Sequence, residues 1–189
     1  MLRALKQQLI QLSEEGKEPF LAILKKKVGS SQAKVWAGPL KNFILVLPEM
    51  IAQVRIWSDT KDLSEQIHNL NGNLLTYLYH PADFLHDEGY GLFGYLDDAY
   101  LVGSVYHTTL RALGPENSQL APHQAEIAAQ VETWLDVTRR VIPKETALIE
   151  KMKRDLSMGN LDILRGLLER PPSSRPVWPA RDKEIIPVA

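Results

Sequence analysis

The sequence predicts an all-α protein, a compact bundle of about seven or eight helices with a proline-rich C-terminal tail. Three observations predict it. Apolar residues recur at three- and four-residue spacings along most of the chain. Glycines and prolines fall between those patterns as stops. Period-two alternation of valine and isoleucine is nearly absent, and the one strand-like run, Phe43 to Leu47, reads as easily as a buried helix segment.

Leu2, Leu5, Leu9 and Leu12 open the chain at helical spacing, and Phe20, Leu21 and Leu24 repeat the pattern after a break at Gly16 to Pro19. Gly29, Ser30 and Ser31 form a break and an N-cap ahead of Ala33 to Ala37, with Gly38 and Pro39 as a further stop or bend. From Lys41 to Trp57 the pattern is apolar on one side, and Pro48 either kinks that helix or starts a new one because it lacks the interior amide. Asp62 and Glu65 have capping-box spacing and open a helix carrying Ile67, Leu70, Leu74, Leu75 and Leu78, which ends near Tyr79 because Pro81 disfavours helical geometry at His80. Leu96 or Asp97 begins the next helix, which passes Leu101, Val105 and Leu110 to a stop at Gly114 and Pro115. Pro122 to Val141 carries Ile127, Val131, Trp134, Leu135 and Thr138 on one stripe. Helices over 144–156 and 161–168 follow, parted by a turn at Met158, Gly159 and Asn160.

Residues 1–170 are thus expected to form a single helical domain, since 189 residues are short for two full-sized ones. Residues 171–189 hold five prolines and form an extended tail, but Trp178, Ile185 and Ile186 are too apolar for a purely solvated one. Those three residues are the expected partner-binding anchors.

Composition narrows the function classes. The chain is 44% hydrophobic and 24% charged with a formal net charge of −1, ordinary for a globular protein. Its one basic run, Lys25 to Lys27, suits the dipole at a helix end and makes nucleic acid an unexpected partner. With no cysteine, disulfides, thiolate zinc sites and cysteine nucleophiles are excluded, which fits a cytoplasmic location. The opening residues lack the apolar core of a signal peptide, and the most apolar stretch falls short of the roughly 18 to 20 residues a spanning helix needs. No membrane span is expected, and peripheral contact with a membrane stays open.

One segment concentrates the polar chemistry. Residues 80–100 hold five carboxylates and two histidines among glycines and apolar residues. Tyr77, Pro81, Asp83, Asp87, Gly94, Tyr95, Asp97 and Asp98 together resemble the signature of the YkvA-like domains of unknown function, over residues 64–110. His86 stands where that family usually has proline, and the loop from Glu88 to Phe93 is about one residue longer. The resemblance implies a helical scaffold, with Tyr77, Pro81, Gly94 and Tyr95 as its structural motif. It implies no reaction.

The residues themselves support two readings. In the first, Pro81 ends a helix, Asp83 braces the turn, the glycines permit positive φ, and Asp97 caps the following helix. In the second, Asp83, Asp87, Asp97 and Asp98, with His86, hold a divalent cation, Mg²⁺, Mn²⁺ or Ca²⁺. No cofactor is otherwise indicated. His68, His107 and His123 stand apart in sequence, Ser104 lacks the surroundings of a nucleophile elbow, and the dipole accounts for Arg139 and Arg140 near a helix end. The balance falls against an enzyme and toward a helical adaptor or regulatory protein with a protein partner. A metal-binding sensor or metal-dependent enzyme is the alternative.

Overall fold

The structure, a computed structural model, describes residues 2–14, 19–78, 90–117 and 120–160. Among the described residues there are eight α-helices, one 3-10 helix and no strand. In chain order they are α1 (Leu2–Glu14), α2 (Phe20–Val28), α3 (Ser30–Leu45), α4 (Leu47–Ser58), α5 (Glu65–Leu78), the 3-10 turn (Gly91–Tyr95), α6 (Leu96–Asn117), α7 (Pro122–Val141) and α8 (Pro143–Ser157).

The all-α reading therefore holds. The bundle is built around α6. Residues 92–106 are buried without interruption, so this helix is enclosed on every side. Against α6 pack α3, α4, α5, α7 and α8, while α1 and α2 close the end nearer the 3-10 turn. Buried side chains from all eight helices form one core, in which Tyr77, Leu78, Tyr95, Leu101 and Trp134 lie together. A large apolar side chain fully buried there stabilises the fold by about 1.5–3 kcal/mol. Trp57 is buried in the same core, whereas Trp36 is only half-buried at its edge.

Several boundaries follow from the residues that predicted them. Pro48 lies in the first turn of α4, and the chain bends by 46° between α3 and α4 at Val46. Gly114, at φ 71°, breaks α6 where the glycine–proline stop was read. Beyond α8, Gly159 takes φ 73°, Asn160 N–H donates to the Asp155 carbonyl (2.9 Å) and Gly159 N–H to the Leu156 carbonyl (3.1 Å). That pair of bonds is a Schellman ending.

Other boundaries need correction. Gly38 and Pro39 do not stop α3, which runs through both. Pro39 deprives the Val35 carbonyl of its helical donor, but Val35 and Pro39 both face solvent, where water replaces it. Gly29, at φ 83°, and not Ser30 or Ser31, precedes the first residue of α3, and no side chain caps it. The backbone places Ser64, not Asp62, ahead of α5, with the Ser64 carbonyl accepting from Ile67 and His68 (3.0 Å each). The helix expected over 161–168, the tail and its anchors Trp178, Ile185 and Ile186 lie outside the described residues.

No single described helix is long and apolar enough to cross a membrane, although α3 and α4 taken together across their bend would be.

Candidate functional site

Of the carboxylate-rich segment, Pro81, Asp83, His86 and Asp87 lie outside the described residues. Asp97 and Asp98 are buried, both in the first turn of α6, and both are engaged in interactions. Asp97 is the second residue of α6: the 3-10 turn feeds directly into the helix, and Leu96 N–H donates to the Phe93 carbonyl.

The structural motif of the segment is interior. Tyr77 lies in the last turn of α5, Gly94 and Tyr95 close the 3-10 turn, and all three are buried. The Tyr95 hydroxyl accepts from Gln8 Nε2 of α1 at 3.1 Å. This bond ties the N-terminal helix to the turn.

One helical turn after Asp97, the structure assembles a polar cluster that sequence reasoning missed. The Tyr100 hydroxyl donates to Glu150 Oε1 of α8 (2.8 Å) and accepts from Arg139 Nε of α7 (2.8 Å). Lys153 Nζ pairs with Glu150 Oε2 (2.8 Å), and Arg139 Nη1 with Asp136. Arg139 Nη2 lies 3.9 Å from Glu150 Oε1. Three helices thus meet at one phenol. The earlier account of Arg139 by the helix dipole is incomplete, since its guanidinium reaches across to α6.

Electrostatics fixes the protonation states. Burial, reinforced by the Glu150 carboxylate, pushes the Tyr100 hydroxyl well above the usual tyrosine range. It stays a neutral donor and cannot serve as a base near neutral pH. Burial alone would raise Glu150, but the Lys153 ammonium and the Tyr100 hydroxyl outweigh it and hold the carboxyl below its usual value. Nearby on α6, burial pushes Tyr106 up to about 12; its hydroxyl bonds Gln124, which in turn donates to the Glu49 carbonyl (3.2 Å). Burial also lowers the His107 imidazole, against the pull of Glu132 and with the push of Arg111, Lys153 and Arg139.

This cluster is a strap whose donors and acceptors satisfy one another. A second polar pair, Thr109 Oγ1 to Asn71 Oδ1 at 2.8 Å, joins α6 to α5 in the fully buried interior. Among the described residues no group of three or more His, Asp or Glu side chains is placed to hold a metal ion.

A surface groove lies elsewhere among the described residues. Leu45 and Val46 at the α3–α4 bend face Ile127 and Trp134 of α7 across a groove of about 160 Å³, with Asn42, His123, Glu126 and Gln130 at its polar edges. Ligand pockets run to roughly 300–1,000 Å³. This groove is the size for one or two side chains of a partner.

Only pieces of these arrangements carry a local signal. Glu150 and Lys153 are spaced for a helical ion pair, and Tyr100 is an amphipathic residue within the apolar run 99–102. Their meeting is tertiary and has no sequence spacing.

Comparison with protein-family models, with curated proteins and with solved structures yields no match to this chain.

Proposed function

We propose that this protein is a non-enzymatic helical adaptor or regulatory subunit that acts through protein–protein contacts, built on a YkvA-like hairpin over residues 64–110. The observation that supports this reading is the self-satisfied state of the polar cluster around Tyr100. Its phenol is held neutral between a cation and an anion, and its carboxylate is bonded on both oxygens. Groups poised for acid–base work keep a free hydrogen-bonding position for substrate. The groove between the α3–α4 bend and α7, lined by both apolar and polar side chains, has the composition of a small protein-contact site.

The test is photo-crosslinking of the full chain in cells, with the reactive residue at Gln130 on the groove rim or at Lys151 on exposed α8. The adaptor reading expects a defined protein captured from Gln130 and not from Lys151, and lost on Glu126→Arg, an exposed substitution. Turnover of a small molecule by the purified chain, unaffected by Glu126→Arg, would sink it.

A second reading has one observation in its favour: Asp97 and Asp98 are both buried at one helix start. In that reading the acids of the 80–98 hairpin, Asp83, Asp87, Asp97 and Asp98, bind Mg²⁺, Mn²⁺ or Ca²⁺. Elemental analysis of protein purified without chelator tests it, with stoichiometric metal that disappears in Asp98→Asn as the supporting result.

A further inference from the structure

We propose that the corner between α2 and α3 is a docking surface for an anionic lipid membrane. Residues 19–48 carry five lysines and no aspartate or glutamate, in a chain whose net charge is −1. Gly29, at φ 83°, turns the chain between the helices. They then run back alongside one another, with the Lys41 ammonium 5.4 Å above the Phe20 ring. The corner therefore gathers Lys25, Lys26 and Lys27 from the end of α2 and Lys34 from the second turn of α3, all four exposed.

Among the described residues no carboxylate pairs with any of these four ammonium groups. The α2 dipole favours cations at its end, but it does not account for Lys34 near the opposite pole of the next helix. Apolar side chains stand among the lysines. Val35 is 68% exposed and Leu21 38% exposed.

That combination fits a lipid surface better than a nucleic acid. Lysines seat on phosphate headgroups while short apolar tips enter the acyl boundary. All the cations are lysines, without the guanidinium fork that favours bidentate phosphate and base contacts. An exposed valine between them has no role on a phosphodiester backbone. These residues are distinct from the groove beside α7, so the inference goes beyond the adaptor reading and stands or falls separately.

The experiment is co-sedimentation of the full chain with vesicles of phosphatidylcholine alone, or containing about 30% phosphatidylserine. At about 0.1 M salt the chain is expected to sediment only with the anionic vesicles, and about 0.5 M salt is expected to release it, a readout that needs no variant. Each lysine near such a surface is worth about fivefold in affinity. The quadruple variant Lys25→Gln, Lys26→Gln, Lys27→Gln, Lys34→Gln should therefore lose two orders of magnitude or more, with an unchanged far-UV spectrum. Val35→Ser should weaken binding several-fold at constant charge, and the exposed pair Arg140→Gln, Lys151→Gln should leave it unchanged. Equal binding to both vesicle types, binding that survives the quadruple variant, or no binding at all would overturn the proposal. Salt-sensitive binding to an RNA or DNA oligonucleotide without sedimentation on anionic vesicles would also overturn it and assign the corner to nucleic acid.

Discussion

Gly103 and Tyr100 lie about one turn apart on α6 and fasten that helix to its neighbours by opposite means. On the side of α3, a Cβ at Gly103 would come within 2.6 Å of two ring carbons of Phe43, whose ring is stacked on Trp134 of α7 at a centroid distance of 5.4 Å. The contact is apolar and close, and it works by excluding even one methyl group. On the side of α8, the Tyr100 hydroxyl is held by Arg139 and Glu150, a contact that is directional and reaches partly exposed charges. The first sort of contact sets how near the helices approach. The second sets their rotation and register.

The difference predicts unequal costs. Phe43→Ala removes the ring from a fully buried site and should lower stability by about 3–5 kcal/mol in urea unfolding. Gly103→Ala forces a methyl into that ring and should cost about 1–3 kcal/mol, less the roughly 1 kcal/mol that alanine contributes to helix propensity. Because both changes act on one contact, Phe43→Leu should relieve part of the Gly103→Ala cost, so that the double variant loses less than the sum. Strict additivity would mean that the close approach of α3 to α6 is not what Gly103 provides.

On the other side, Tyr100→Phe keeps the ring and removes only the shared hydroxyl. Net hydrogen bonds are worth about 0.5–1.5 kcal/mol, and Arg139 and Glu150 are open enough to recruit water, so the expected loss is about 1 kcal/mol. Glu150→Gln should cost a similar amount, and combining the two should be less than additive because they share one bond. A Tyr100→Phe loss as large as that of Phe43→Ala would erase the contrast and make the polar strap the principal fastening of α6.

The two regions also differ in how they are written in the sequence. The helices were legible because periodicity and punctuation are local: Pro122 to Val141 is the span of α7, and Gly114 and Gly159 turn where their neighbours implied. Pro39 misled because its effect depends on whether the deprived Val35 carbonyl meets water, which is a property of the finished surface. The 3-10 turn from Gly91 to Tyr95, which feeds α6 directly, carried no signal of its own in a run read only as a glycine-rich loop. The Tyr100 cluster joins residues separated by 39 and 50 positions, and no single-sequence spacing relates them. The lysine corner is the converse: its charge run is plain in the sequence, but only the exposure of Lys34 and Val35 around Gly29 turns it into a surface.

The smallest effect lies at the edge of the strap and depends on pH. His107 is half-buried, with Glu132 and Arg139 facing it from α7, Lys153 from α8 and Arg111 from its own helix, and burial lowers its folded pKa below the ordinary 6.5. The unfolded chain then takes up the proton first as pH falls. His107 therefore contributes stability that is present above about 6.5 and is lost as pH falls through the lowered folded value. Glu150, also held below its ordinary value, contributes stability that is present above 4.5 and lost only at more acid pH. The two losses begin at different pH, near 6.5 for His107 and near 4.5 for Glu150, so one urea titration registers their onsets in turn. Between about pH 7.5 and 5.5 the wild-type midpoint should fall further than that of His107→Gln, whereas below about pH 4.5 the steeper fall should belong to chains retaining Glu150. A His107→Gln profile parallel to wild type across the upper window would show that the imidazole stays solvated in the fold, leaving the acid limb of Glu150 as the strap's sole response to pH in this range.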